Sequence, residues 1–145
     1  MDKKSLKVPN STWSILTMKC PRCRYGDMFT NKSAYKHLSL KNIFAMPEHC
    51  AECGQKFNIE PGFWYGTGYV SYAITVAISV ATFVAWWVLI GISINDNRVF
   101  WWLGLNALLL VVLQPWIMRL SRVIYMRFFV SFDPDYKQTL PKQFD

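Results

Sequence analysis

The chain has 145 residues and a net charge of +7, and its hydrophobic fraction of 52% is close to that of an ordinary globular domain. What sets it apart is where those residues lie: no charged residue occurs between Glu60 and Asp96, or between Arg98 and Arg119. The remaining water-compatible part is the first 60 residues and a short tail. That excludes a large enzyme core, and modules so small usually need a staple.

Residues 1–18 form a basic lead with a short apolar patch, Trp13 to Met18. Trp, Ile, Leu and Met beside lysines suit an interfacial segment on an anionic leaflet; the alternative is an ordered lead-in packed on the cysteine module. That module, a cysteine head, spans residues 19–60. Its two halves, "KCPRCRYG" and "HCAECGQKF", are joined by residues 31–46, "NKSAYKHLSLKNIFAM". Leu38, Leu40, Ile43, Phe44 and Met46 show neither clean alternation nor a helical stripe, so a short strand or one helical turn fits.

Residues 61–118 read as a transmembrane hairpin. Pro61 and Gly62 mark a turn, and Phe63, Trp64 and Tyr65 supply the aromatic belt expected where a helix meets lipid headgroups. Gly66 and Gly68 serve either a sharp bend or a close helix approach. The first span is expected over about residues 69–94, about 39 Å of helix, longer than the hydrocarbon it crosses. Ala73, Ala77, Ala81 and Ala85 form one small-residue ridge, and Ser71, Thr75 and Ser79 form another on a different face. The second span can cover only one of the two, and plain packing against it is the expected use. An uncovered ridge would dock another membrane protein.

The second span is expected over about residues 100–118, with Phe100, Trp101 and Trp102 as its outer belt. Asn106 and Gln114 are read as amides bonding to the neighbouring helix, with Ser79 or Thr82 as the partner, and Pro115 suggests a kink. Neither span holds Asp, Glu, Lys, Arg or His, so the usual ion- and proton-pathway residues are missing. Residues 119–145 then read as an interfacial segment and tail. Arg119, Arg122 and Arg127 alternate with apolar residues as if placed among phosphates, and Asp133–Pro134 ends the helix.

Fifteen of the sixteen basic residues lie outside the link "NDNR". The positive-inside rule therefore puts both termini in the cytoplasm of a multi-pass inner-membrane protein. The first apolar run begins too late for a cleavable signal peptide.

Cys20 and Cys23 are followed, after 26 residues, by Cys50 and Cys53. A reducing cytoplasm disfavours disulfides, and a thioredoxin-type redox pair wants a larger βαβ context. Four thiolates holding one tetrahedral metal suit both compartment and size. Zinc is the default and iron in a rubredoxin-like site the alternative. A closed Cys₄ shell makes the metal structural. Gly54 fits the turn after the second pair, whereas Arg24 stands at the same place after the first, which predicts a distorted first knuckle. His37 and His49 are weighed as extra ligands and read as surface residues.

Taken together, "KCPRCRYGDMF", "HCAECGQKF" and "PGFWYGTGYVSYAI" resemble a family of small bacterial two-helix membrane proteins with a paired Cys-x-x-Cys head, a domain of unknown function numbered 983. The resemblance covers roughly residues 17–130 and implies Cys20, Cys23, Cys50 and Cys53 as metal ligands. The position of some members beside genes for respiratory oxidase assembly implies a respiratory complex as client.

The fold class expected is membrane α: a two-helix hairpin, a small N-terminal cytoplasmic zinc-ribbon-like head and a C-terminal interfacial segment. No nucleophile–base pair, carboxylate pair or phosphate loop is present, so the chain reads as non-enzymatic. It is expected to be an accessory or assembly protein that binds a larger membrane complex and touches anionic lipid at the cytoplasmic face. Two alternatives are a rubredoxin-like electron-transfer or metal-handling protein, and a membrane-tethered nucleic-acid-binding ribbon. Against the last, the head's ten basic and five acidic residues are explained equally by nearby anionic lipid.

Overall fold

The computed structural model describes residues 9–35, 39–93 and 95–144. Among them lie four α-helices: α1 (Ser11–Leu16), α2 (Leu40–Ile43), α3 (Thr67–Ile90) and α4 (Arg98–Phe129). A single 3₁₀ turn, Phe63–Gly66, leads into α3. In the described part of the linker between the cysteine pairs one helical turn, α2, forms and no strand. Leu38 and His37, and Ile94 at the expected end of the first span, fall outside the described residues, as do residues 1–8 of the basic lead.

Two helices, α3 and α4, are long and apolar enough to cross a membrane. They pack side by side. The hydroxyl ridge of α3 turns inward: Ser71, Thr75 and Ser79 are half-buried, while Ala73, Ala77, Ala81 and Ala85 are all exposed. Asn106 of α4 is buried and donates to Ser79 Oγ (3.2 Å), and Thr82 Oγ1 donates to Asn106 Oδ1 (3.1 Å). An amide in an apolar run finds its partners across the pair, a bond worth about 0.6 kcal/mol on average. Gln114 makes no such bond among the described residues. Nearer the link, Phe83 and Trp102 meet edge to face at 5.0 Å.

Gly66, at the end of the 3₁₀ turn, lets the Tyr125 side chain of α4 pack against its backbone, since a Cβ there would overlap the Tyr125 ring, whereas a Cβ on Gly68 would meet nothing within 4 Å. Helix α4 continues without interruption through Pro115 to Phe129. At 32 residues it is about 48 Å long, well beyond the ~30 Å of a hydrocarbon core. Proline removes the bond to the carbonyl four residues back and crowds that turn. The neighbouring Val112 carbonyl accepts from Tyr35 Oη at 2.9 Å.

The far end of α4 is where the structure departs most from the expected interfacial segment. Arg119, Val123, Met126 and Val130 fall at helical spacing and are buried under the cysteine head. Val123, Met126 and Val130 share one core with the four cysteines, Met28, Phe29, Phe57 and Tyr136. Arg119 is 1% exposed, which removes it from any phosphate. It donates instead to the carbonyls of Asn31 (2.7 Å), Ile43 (3.0 Å) and Asn42 (3.4 Å), closing the C-terminal end of α2. Helix α1 lies against α4: Ser14 is buried and Arg127 donates to Ser11 Oγ at 2.7 Å. Ile15 and Met18 pack on the core, while Trp13 and Leu16 point outward.

Candidate metal centre

Each cysteine pair folds as a tight knuckle. Cys20 N–H donates to the Gly26 carbonyl (2.8 Å), and Arg24 N–H returns to the Cys20 carbonyl (2.8 Å). In the second pair Cys50 N–H donates to the Gln55 carbonyl (2.9 Å), and Gly54 N–H returns to the Cys50 carbonyl (2.9 Å). Single antiparallel bridges, Lys19 with Asp27 and His49 with Lys56, close the two loops. No β-strand forms among the described residues, so the hairpin strands of a ribbon are reduced to these bridges.

The first knuckle is not distorted as its sequence predicts. Arg24 adopts φ +62°, the left-handed conformation that Gly54 takes at φ +68°. Such a backbone costs a non-glycine residue about 1–2 kcal/mol. Arg24 offsets the cost through its side chain, which donates to the Pro9 carbonyl (3.2 Å) and lies 3.8 Å over the Phe132 ring. The requirement for glycine moves to Gly26, where a Cβ would overlap Cys50 Sγ.

The two knuckles bring all four thiols together, with every pair of Sγ atoms within 4.8 Å. Cys20 and Cys53 are 3.7 Å apart, and Cys23 and Cys50 3.8 Å. Four sulfurs around a tetrahedral metal at about 2.3 Å would be separated by about 3.8 Å. The cluster can therefore hold a metal ion, and tetrahedral S₄ geometry suits zinc or iron. Cys20, Cys23, Cys50 and Cys53 are all buried, at most 8% exposed. His49 is exposed and stands outside the cluster.

Four thiols in contact cannot ionise alike. Contact with Cys23, then Cys50 and Cys53, pushes the Cys20 thiol far up. Contact with Cys20 chiefly draws Cys50 down, to about 7. Gly26 N–H donates to Cys23 Sγ at 3.4 Å, favouring its thiolate. A bound cation would remove the contest by stabilising all four thiolates at once.

Sequence reasoning passed over the residues that hold the knuckles to each other. Arg22, inside the first pair, is 3% exposed. It donates to the Cys53 carbonyl (3.1 Å), to Thr139 O and Oγ1 (2.8 Å each) and to the Leu140 carbonyl (2.8 Å). It also pairs with Asp133 at 3.3 Å. Gln55 and Lys142 exchange two hydrogen bonds: Nε2 to the Lys142 carbonyl (2.9 Å) and Lys142 N–H to Oε1 (3.0 Å). The tail is thus a third wall of the centre. The available signal was a charged residue between two buried ligands, where an arginine needs several acceptors at once.

A buried four-thiol centre docked on the end of a long two-helix hairpin defines the class of protein. The chain belongs to the family described as protein of unknown function (DUF983), which it matches over residues 40–118, more than half its length. The match takes in the second knuckle and the hairpin, and the first pair, Cys20 and Cys23, completes the paired Cys-x-x-Cys head ahead of it. No curated protein and no solved structure matches the chain.

Proposed function

We propose that this is a non-enzymatic accessory or assembly protein of the bacterial inner membrane. Helices α3 and α4 cross the bilayer, both termini are cytoplasmic, and a structural zinc ion sits among Cys20, Cys23, Cys50 and Cys53. The protein binds a larger membrane complex through the hairpin, and a respiratory complex is the client suggested by the family resemblance.

The observation that carries this reading is the division of labour between the two helices. Helix α4 is covered at its head end, whereas none of the residues of α3 is buried, and its alanine ridge is wholly exposed. Small residues on a lipid-facing helix permit close approach by another helix. The four thiols use every position of a tetrahedral shell, so no site is left for substrate. That favours a structural metal over catalysis.

Affinity purification of the tagged full chain from native membranes in mild detergent tests the reading. A stoichiometric membrane partner, lost when Ala77 and Ala81 are changed to leucine, is the expected result. A solitary monomer would overturn it. Metal analysis of the same preparation should find one zinc per chain and no visible colour. An iron-coloured protein would replace the structural-zinc reading with electron transfer.

A further inference from the structure

Arginines crowd the junction between head and hairpin, and most find oxygen. Arg22 and Arg119 hold several carbonyls each, Arg24 holds that of Pro9 and Arg127 holds Ser11. Arg122 is different. Among the described residues its guanidinium meets only the Met46 thioether, at 3.3 Å, and thioether sulfur is a weak acceptor. Its Nε is buried with no partner, as is that of Arg24, but Arg24 still reaches a carbonyl through Nη1. The rings of Phe44 (4.0 Å) and Trp64 (4.9 Å) lie against the charge. Ring faces stabilise a cation, but they do not satisfy five N–H donors.

Arg122 lines a cavity of about 490 Å³ between α3, α4 and the 3₁₀ turn. Its wall includes Trp64, Thr67, Gly68, Ser71, Ser121 and Arg122. An aromatic and aliphatic lining with a few convergent polar groups is the usual make-up of a ligand site. Ser71 has no hydrogen-bond partner of its own among the described residues, so its hydroxyl is free to donate. The cavity sits beside Phe63, Trp64 and Tyr65, at the first turns of the apolar helix α3, which is headgroup level if the hairpin spans a bilayer.

We propose that this cavity binds the phosphate of an anionic phospholipid. The Arg122 fork takes two phosphate oxygens, the geometry for which guanidinium is best suited. The Ser71 hydroxyl donates to the same group, and the acyl chains descend along the seam of α3 and α4. The inference rests on the membrane reading of the hairpin and is independent of any partner complex.

Native mass spectrometry of the full chain, stripped in detergent and titrated with phosphatidylglycerol, tests it, with diacylglycerol, which has the same acyl chains and no phosphate, as the control. The intact protein should keep one phosphatidylglycerol preferentially. Arg122→Gln should weaken that binding about tenfold or more, as loss of charge-assisted hydrogen bonds does. Arg98→Gln, which removes an equal charge at the opposite end of α4, should leave it unchanged. Gly68→Leu supplies a second variant that keeps Arg122. Gly68 lines the cavity, a Cβ there meets nothing within 4 Å, and leucine favours helix over glycine, so the variant should fold and still lose the lipid. Equal binding by the intact chain, Arg122→Gln and Gly68→Leu overturns the proposal. Displacement by equimolar inorganic phosphate, but not by short-chain phosphatidylglycerol, overturns the lipid assignment and gives the site to the free anion.

Discussion

Replacing Gly26 with alanine adds one methyl group where the two knuckles face each other. Gly26 is buried, and its new Cβ would overlap Cys50 Sγ, with Glu52 Cγ a further neighbour at 3.4 Å. Cys50 cannot retreat freely. Its N–H is tied to Gln55, its carbonyl to Gly54, and its sulfur is one of four that must stay about 3.8 Å apart to share a metal. Overpacking a well-filled site costs about 1–3 kcal/mol. Because the strain falls on a ligand, most of it should appear as lost metal affinity, about 5- to 150-fold at 1.4 kcal/mol per decade. Chelator competition with a spectrophotometric indicator measures this on the full chain. Gly68→Ala is the control, since its methyl meets open space and lies outside the head. Were Gly26→Ala to hold zinc as tightly as the unaltered chain, the packing of the first knuckle against Cys50 would be refuted.

Three further outcomes rest on the same contacts. Stripping the metal should abolish amide-exchange protection at Cys20, Arg24, Cys50 and Gly54, while protection within α3 and the paired part of α4 persists. The thiols lie in the head's core, but the Asn106 bonds to Ser79 and Thr82 do not depend on them. Arg119→Met should destabilise the docked head by about 3 kcal/mol in denaturant titration, because three carbonyls lose their donor at once. Unchanged stability would mean that solvent replaces the guanidinium. The Asp133 carboxyl is held below its ordinary value, first by the Thr139 hydroxyl and then by the Asp135 N–H and Arg22. A depressed carboxyl contributes fully above its unfolded value of about 3.9 and loses that contribution as pH falls through its folded value. Asp133→Asn should therefore flatten the acid limb of stability below about pH 4, as followed by proteolysis of the tail, and leave the neutral limb with a uniformly weaker tail.

Much of the architecture was legible because its signals are local. Two charge-free runs are enough to locate both long helices, and their extents differ from the expected ones by a few residues at most boundaries. The family resemblance, too, rests on contiguous motifs. Asn106 was readable as a cross-helix partner of Ser79 or Thr82 because an amide in an apolar run has few ways to be satisfied. The choice between the two ridges of α3 was not readable, since alanine and serine stripes are equally able to face a helix. The inward turn of the hydroxyl ridge is set by where Asn106 stands on α4.

The amino-acid sequence by itself determined the four thiols, their pairing in two knuckles and the two apolar helices. Periodicity, spacing and missing charge act over a turn or a span and need no fold to be read. Only the tertiary structure decided that the head is not a tethered module but the cover of α4, with the tail as its third wall. The bonds responsible join residues 76 to 118 positions apart, such as Arg119 to Ile43 and Arg22 to Leu140. An arginine among apolar residues satisfies an interfacial pattern and a buried one alike. The difference lies in whether carbonyls converge on it, as they do on Arg119 and do not on Arg122, and that convergence exists only once the chain has folded.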